Sequence, residues 1–370
     1  MMQKRKKKDP SELREGYTTG ACATACAKAA LTALITQEMQ ENVIIHLPVG
    51  KDVTFSIEEC VMKDSEVTCS TIKDGGDDPD ATHGAIIKAT VSWRNDNQIY
   101  IDGGVGVGRV TKPGLPIEVG LAAINPVPRK MIATETKQVL DSFNISRGIN
   151  VVISVPEGEE IAKKTLNGRL GIVGGISILG TRGTVLPFSN AAYMASIVQA
   201  ISVAKASGCD HLVFTTGGRS EKFAMAMYPE LPEVAFVEMG DFVGFSMKHC
   251  KRIGIQKVSL VGMMGKFSKL ANGAMMLHSK GSQVSFEFLA SVAKECGAND
   301  KLLKQILSSN TANEVGQIMK EQNLVKFFNR LSEHCCMEIL KHVGGGLTVT
   351  TAIYSMGGEQ LGKAVEIDAY

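Results

Sequence analysis

The period of apolar and polar alternation changes once along the chain, and that change divides it in two. An Ala-rich stretch from Ala21 to Ile35, built of strong helix formers, comes first. Five segments then alternate with period two: Asn42 to Leu47, Val53 to Met62, Glu66 to Lys73, Ala85 to Trp93 and Gln98 to Asp102. β-Branched alternation with turns between predicts an antiparallel sheet, and one or two helices laid on it make a two-layer α+β domain. Near residue 148 the character changes. Asn150 to Val155 reads as a strand, Leu170 to Leu179 as an apolar segment broken by glycines, and Asn190 to Ser207 as a helix. Strands His211 to Phe214, Val234 to Glu238 and Lys257 to Gly262 then alternate with helices Glu221 to Met227, Phe242 to Arg252 and Ser268 to Met276. Such alternation needs crossovers, hence a mostly parallel sheet in a three-layer α/β domain. Helices fill Ser285 to His342, and a last strand, Leu347 to Tyr354, can return to either sheet. The expected domains are therefore 1–147 (α+β) and 148–370 (α/β).

Composition narrows the function more than the fold. A chain of 370 residues has room for two cores. Its net charge of +2 gives no global field for nucleic acid or a membrane surface, and 5% aromatic residues are too few for base-stacking platforms. The basic run Lys4 to Lys8 leads into no apolar region, so it reads as a solvated tail and not a signal peptide. Leu170 to Gly180 is too short and Gly-rich to cross a bilayer. Nine cysteines, odd in number and never spaced Cys-x-x-Cys, argue against a disulfide framework. Cys22 with Cys26, and Cys335 with Cys336, read as buried packing residues, so no protein-held metal is expected. A cytoplasmic enzyme is the expectation.

Four clusters could carry chemistry. Gly16-Tyr17-Thr18-Thr19-Gly20 opens a helix. Thr18 or Thr19 either caps it or, with the free amides turned outward, contacts an anionic ligand. Lys73 to Gly84 places Asp74, Asp77, Asp78, Asp80 and His83 within twelve residues. Carboxylates this close can raise one another's pKa and supply a base, gather a hard cation, or form a solvated turn. Gly103 to Gly108 imitates a dinucleotide fingerprint, but Pro113 and Pro116 forbid the helix that motif requires. What remains is a Gly loop with Arg109 and Lys112, joined by a rigid turn, Asn125 to Lys130, that carries Arg129. Lastly, Gly174, Gly175, Gly180, Thr181, Gly217, Gly218, Glu238, Gly240 and Asp241 follow expected strands, where ligands of open parallel sheets bind.

Taken in order, these strings, from Gly16–Gly20 through Gly76–Gly84, Gly106–Leu115, Asn125–Arg129, Leu170–Thr181 and Thr216–Glu221 to Met239–Gly244, resemble the cobalt-precorrin-5B C1-methyltransferase family. The likeness runs from about Leu13 to Ser279. It implies S-adenosylmethionine as methyl donor, cobalt-precorrin-5B as acceptor and cobalt-precorrin-6A as product in cobalamin synthesis. Cobalt is then part of the substrate, and the fold is unlike the class I methyltransferases. The acceptor's acetate and propionate arms suit Thr18, Thr19, Arg109, Lys112 and Arg129 as its contacts, and Asp77 is a further candidate substrate contact. Asp78 or His83 is the candidate base, and the glycines and acids of the second domain are the donor contacts. Competing readings are a non-catalytic tetrapyrrole carrier and a nicotinamide-dependent reductase. A homo-oligomer and contact with other enzymes of the pathway stay open.

Overall fold

The computed structural model describes residues 12–279 and 281–367; the basic run Lys4 to Lys8 lies outside the described residues. The chain divides into two compact units, Met1–Asn190 and Ala191–Tyr370.

Unit 1 begins with a short strand β1 (Gly16–Tyr17) and helix α1 (Thr19–Thr36). A hairpin, β2 (Asn42–Leu47) with β3 (Lys51–Ser56), precedes β4 (Glu59–Lys63), β5 (Glu66–Ile72), β6 (Ile86–Trp93) and β7 (Ile99–Gly103). Two-residue strands β8 (Gly106–Val107) and β9 (Arg109–Val110) lead to α2 (Pro126–Ser142) and β10 (Ile149–Ser154). After α3 (Gly158–Ala162) come β11 (Ile172–Val173), β12 (Gly175–Ile176) and β13 (Thr184–Val185). The main sheet has the order β4-β5-β6-β10-β7, antiparallel except where β10 runs parallel to β7. Its buried face packs on α1, whose many alanines let the helix approach β5, β6 and α2 closely. That helix is long and apolar enough to cross a membrane by length and composition, but 78% of it is buried inside the unit.

The expected boundary at 147/148 is corrected, because β10 is an inner strand of the first sheet with Ile149, Val151 and Ile153 fully buried in its core. An apolar run shows that a strand is buried, not which sheet buries it. The segment after β10 follows it into unit 1: β11 pairs with β9, β12 with β8 and β13 with β1. A second correction concerns Asn125 to Lys130, which is no isolated turn but the start of α2, with proline in its first turn. There the missing N–H costs nothing, since those amides have no intrahelical partner anyway.

Unit 2 opens with α4 (Asn190–Ala206) and builds a sheet from β14 (His211–Thr215), β15 (Phe236–Glu238), β16 (Lys257–Met263), β17 (Thr348–Tyr354) and β18 (Gln360–Ile367). Its order is β15-β14-β16-β17-β18, with the first four parallel and β18 antiparallel at the edge. The last expected strand therefore joins the second sheet, followed by a further strand, β18, beyond those expected. Helix α5 (Gly218–Met227) covers the face that carries Val213, Val261 and Ala352. On the other face Thr351 donates a hydrogen bond to Ser332 of α11 (Lys326–Val343), which packs on α6 (Val243–Arg252) and α7 (Met264–Ala271). Three shorter helices, α8 (Phe286–Glu295), α9 (Asp300–Leu307) and α10 (Ala312–Glu321), complete the crossover between β16 and β17.

Candidate functional site

In unit 2 the strand order reverses between β14 and β16, so their outgoing connections diverge and leave a crevice at the carboxyl ends. A cavity of about 490 Å³ opens there. Gly217 and Gly218 line it after β14, Asp241 after β15, and Lys266 after β16. Gly217 has φ 153°, a conformation that excludes most side chains, and caps α5, so that the first turn of the helix, with its amides that lack intrahelical partners, lines the cavity. A Cβ added at either glycine would meet nothing within 4 Å, so the backbone there is open to a ligand. Ser220 fixes the turn: its Oγ donates to Gly217 O (2.8 Å) and accepts from Thr216 N (3.1 Å). The Lys266 ammonium pairs with Asp241 Oδ1 at 3.0 Å and donates to Thr216 O at 3.2 Å, tying the ends of the three strands together. Asp241 thus presents one carboxylate in a cavity that is also lined by the cations Arg219, Lys266 and Lys269 and by the apolar Met263, Leu277 and Met356. Among these, Gly217, Gly218 and Asp241 were expected donor contacts; Lys269, in the last turn of α7, carries no local signal of a ligand role in the sequence.

Glu238 and Gly240 lie beside the cavity but pack against Tyr193, whose hydroxyl donates to Glu238 Oε1 at 3.5 Å. Burial, and then the Glu238 charge, push the Tyr193 phenol up to about 12. Gly174, Gly175, Gly180 and Thr181 are not at this sheet edge at all. They belong to unit 1, where a Cβ on Gly175 would collide with Gly106 backbone and one on Gly180 with the Thr18 side chain. The small size of Gly175 and Gly180 serves chain packing in that unit.

In unit 1 the residues of the first cluster are turned inward. Thr18 caps α1, its Oγ1 accepting from Ala21 N at 3.2 Å. Thr19 Oγ1 accepts from Leu179 N (2.9 Å), and Gly20 N donates to Leu179 O (3.0 Å). Both threonines are at most 5% exposed. The amides of Gly20, Ala21 and Cys22 are thus bonded within the chain itself; Thr18 serves as the helix cap and Thr19 as a brace to Leu179.

The acid loop divides its carboxylates among separate partners. Arg14 grips Asp74 with both guanidinium nitrogens and holds its carboxyl down at about 2. Asp77 Oδ2 accepts from Arg14 N at 2.9 Å. Asp80 pairs at 2.6 Å with Lys73, whose side chain is 1% exposed. Burial alone would raise the Asp80 carboxyl, but the Lys73 charge and hydrogen bonds from Lys73 and Thr82 outweigh it and hold it below its ordinary value. Mutual repulsion therefore does not raise these two acids, contrary to the expectation from their spacing. Asp78 Oδ1 accepts from Phe188 N at 2.8 Å, and His83 Nδ1 accepts from Gly75 N at 3.0 Å. In that geometry the neutral ring carries its proton on Nε2.

The expected acceptor cations differ in how free they are. Arg109 projects from β9 on the same face as its cross-strand partner Val173, which is 59% exposed. It pairs with Asp102 Oδ2 at 2.8 Å. Burial would raise the Asp102 carboxyl, but hydrogen bonds from Arg109 and Gly103 and the charges of Arg109 and Arg129 bring it below its ordinary value. Arg129 donates to Ile101 O at 2.8 Å from the first turn of α2. Lys112 lies along Gly171 and donates to Arg169 O at 3.1 Å, so it closes its own loop. Gly103 to Gly108 runs through β8 into β9 with no helix following, which removes the dinucleotide reading.

Comparison with known proteins adds the family. The CbiD model matches residues 6–187 and that of the CbiD C-terminal domain residues 276–365. A protein of Geobacillus sp. (strain WCH70), described as cobalt-precorrin-5B C(1)-methyltransferase, is 64% identical across 96% of this chain and 98% of its own length. One of the same description from Leptospira interrogans (serogroup Icterohaemorrhagiae, strain Fiocruz L1-130) is 43% identical across 95% and 96%. A crystal structure of a cobalamin biosynthesis protein (cbiD) from Archaeoglobus fulgidus is 26% identical, covering 84% of this chain and 85% of that one, with a TM-score of 0.39.

Proposed function

This chain belongs to the CbiD family of cobalt-precorrin-5B C(1)-methyltransferases, and on that premise we propose that its methyl donor is S-adenosylmethionine, held in the cavity of unit 2. The product is then cobalt-precorrin-6A, and the number of strands and their order β15-β14-β16-β17-β18 support a methyltransferase outside the class I fold. The observation that carries the donor assignment is the cavity at the strand-order reversal, open where Gly217 and Gly218 leave space beside the α5 amides. Those amides suit the donor's carboxylate, and Asp241 suits ribose hydroxyls or the donor's ammonium. The bound donor supplies a sulfonium methyl group; the chain's own contribution is to orient it.

The acceptor's carboxylate arms fit Arg109 and Arg129, which already share one carboxylate, Asp102, and have charge to spare. Val173 beside Arg109 adds apolar surface for the macrocycle edge. Cobalt arrives within this substrate. A proton leaving it would pass to Asp78 in preference to His83, whose Nδ1 lone pair already accepts the Gly75 amide. We also read the chain as cytoplasmic, since none of its nine cysteines, all among the described residues, is in a disulfide.

Isothermal titration with S-adenosylhomocysteine tests the donor site. Gly218→Leu places a side chain in open space at a helix start, so it should fold normally yet weaken binding at least about tenfold; Asp241→Ala should weaken it comparably. Unaltered affinity in both variants would move the donor elsewhere, and no binding by the parent chain would favour a tetrapyrrole carrier.

A further inference from the structure

Four described residues other than glycine have positive φ: Gln37, Asn144, Phe188 and Asn323. Gln37 is the C-cap of α1, and Asn144 and Asn323 each follow the C-cap of a helix, where a left-handed residue is the common stop signal. Phe188 closes no helix; it stands two residues before α4 with φ 56°. A bulky aromatic is an outlier there, and 69% of it is exposed, so hydrophobic burial does not explain the residue. Its conformation is held by the acid loop, through the 2.8 Å bond from Phe188 N to Asp78 Oδ1. Strain of this kind persists where the surroundings over-determine it, and it concentrates at ligand sites.

We propose that Phe188 is an aromatic platform for the planar, conjugated face of the acceptor, and that Asp78 is the positioning residue that fixes it. The chemistry matches from both sides. A conjugated macrocycle offers a π-face as well as carboxylate arms, and aromatic contact recognises the first as the cations recognise the second. Only 5% of the chain is aromatic, so presenting Phe to solvent where Gly or Asn would relax the backbone is a costly use of a scarce residue. The inference rests on the reading that the acceptor binds the acid-loop side of unit 1.

Steady-state methylation of cobalt-precorrin-5B, with thermal unfolding of the same proteins, tests it. Phe188→Gly removes the ring and relieves the backbone. KM for the acceptor should rise about tenfold with kcat changed less than about twofold, and Tm should hold or increase. Phe188→Tyr and Phe188→Trp should stay within about twofold of the parent KM, since both keep a π-face. Should the Gly variant fold poorly, Phe188→Asn, whose short side chain tolerates the left-handed region, reads the same KM. A fall in Tm with unchanged KM would make Phe188 structural and overturn the inference. Arg109→Ala separates the two levels. If it raises KM while the Phe188 variants do not, the platform alone is wrong; if none of them moves KM, the acceptor side is wrong as well.

Discussion

His83 shows how one hydrogen bond restricts what a side chain can do. Because Gly75 N–H points at Nδ1 from 3.0 Å, the neutral ring is held with Nε2–H outward, a donor fit for an acceptor carboxylate and a poor base. Protonating Nδ1 would break the Gly75 bond and turn that edge toward Asp74 Oδ1, 3.8 Å away. His83→Asn separates the roles, since its amide oxygen can still accept from Gly75 while the outward N–H is lost. We expect normal thermal stability and a KM for cobalt-precorrin-5B raised at least about tenfold, the cost of one hydrogen bond to a charged group. If kcat falls instead, with KM unchanged and the acid limb of the pH–rate profile abolished, His83 is the base after all. The spacing of Asp74 to His83 advertised chemistry, yet it could not say which nitrogen or oxygen was already engaged, because Arg14 and Lys73 decide that from outside the motif's spacing.

Among the secondary-structure elements, legibility follows the range of the interactions that define each one. Strands β2, β5 and β6 were readable because one face of each is buried and the period is two. Helix α2 was hidden behind Pro126 and Pro128, which break helices everywhere except in the first turn. Leu170 to Leu179 was misplaced because its pairing partners, β8 and β9, are more than sixty residues earlier, beyond any local pattern. Strand β18 was legible and overlooked: Gly357-Gly358 precedes an alternating Gln-Leu-Gly-Lys-Ala-Val-Glu-Ile run. The start of α1 carries a prediction of its own. Thr19→Val keeps the shape but leaves the Leu179 amide, half-buried in this bond, without its acceptor at 2.9 Å. That should cost about 1–3 kcal/mol and lower Tm by about 3–8 °C in calorimetry, with acceptor KM unchanged well below Tm. A raised KM at constant Tm would restore Thr19 as a ligand contact.

Over the whole molecule, the groups that couple folding to acid are unevenly shared between the units, and this sets an order of loss. In unit 2 the His211 ring bonds Ser259 Oγ at 2.8 Å, Ser259 bonds the Tyr228 hydroxyl at 2.8 Å, and the two rings meet edge to face at 5.0 Å. Burial, then the Lys257 charge, push the imidazole down to about 4, with Glu230 opposing weakly; His249 and His342 are lowered by burial too. An unfolded histidine titrates near 6.5, so below about that pH the unfolded chain binds protons that the native one refuses. The stability contributed is complete above about 6.5 and is lost as pH falls through the native value. In unit 1 Asp74, held at about 2 by Arg14, works lower on the scale: its share is complete above about 4 and is lost towards 2. Mild acid should therefore act first through unit 2. For His211, partly buried, the discounted effect is about 1–2 kcal/mol, or a Tm lower by about 3–6 °C at pH 4.5 than at pH 7. His211→Gln, which can still bond Ser259 but carries no titrating proton, should flatten most of that slope in calorimetry. A variant whose Tm falls as steeply as the parent's across this window would mean that the His211–Ser259–Tyr228 cluster contributes nothing to the acid sensitivity, and His249 and His342, lowered by burial as well, would have to account for it instead.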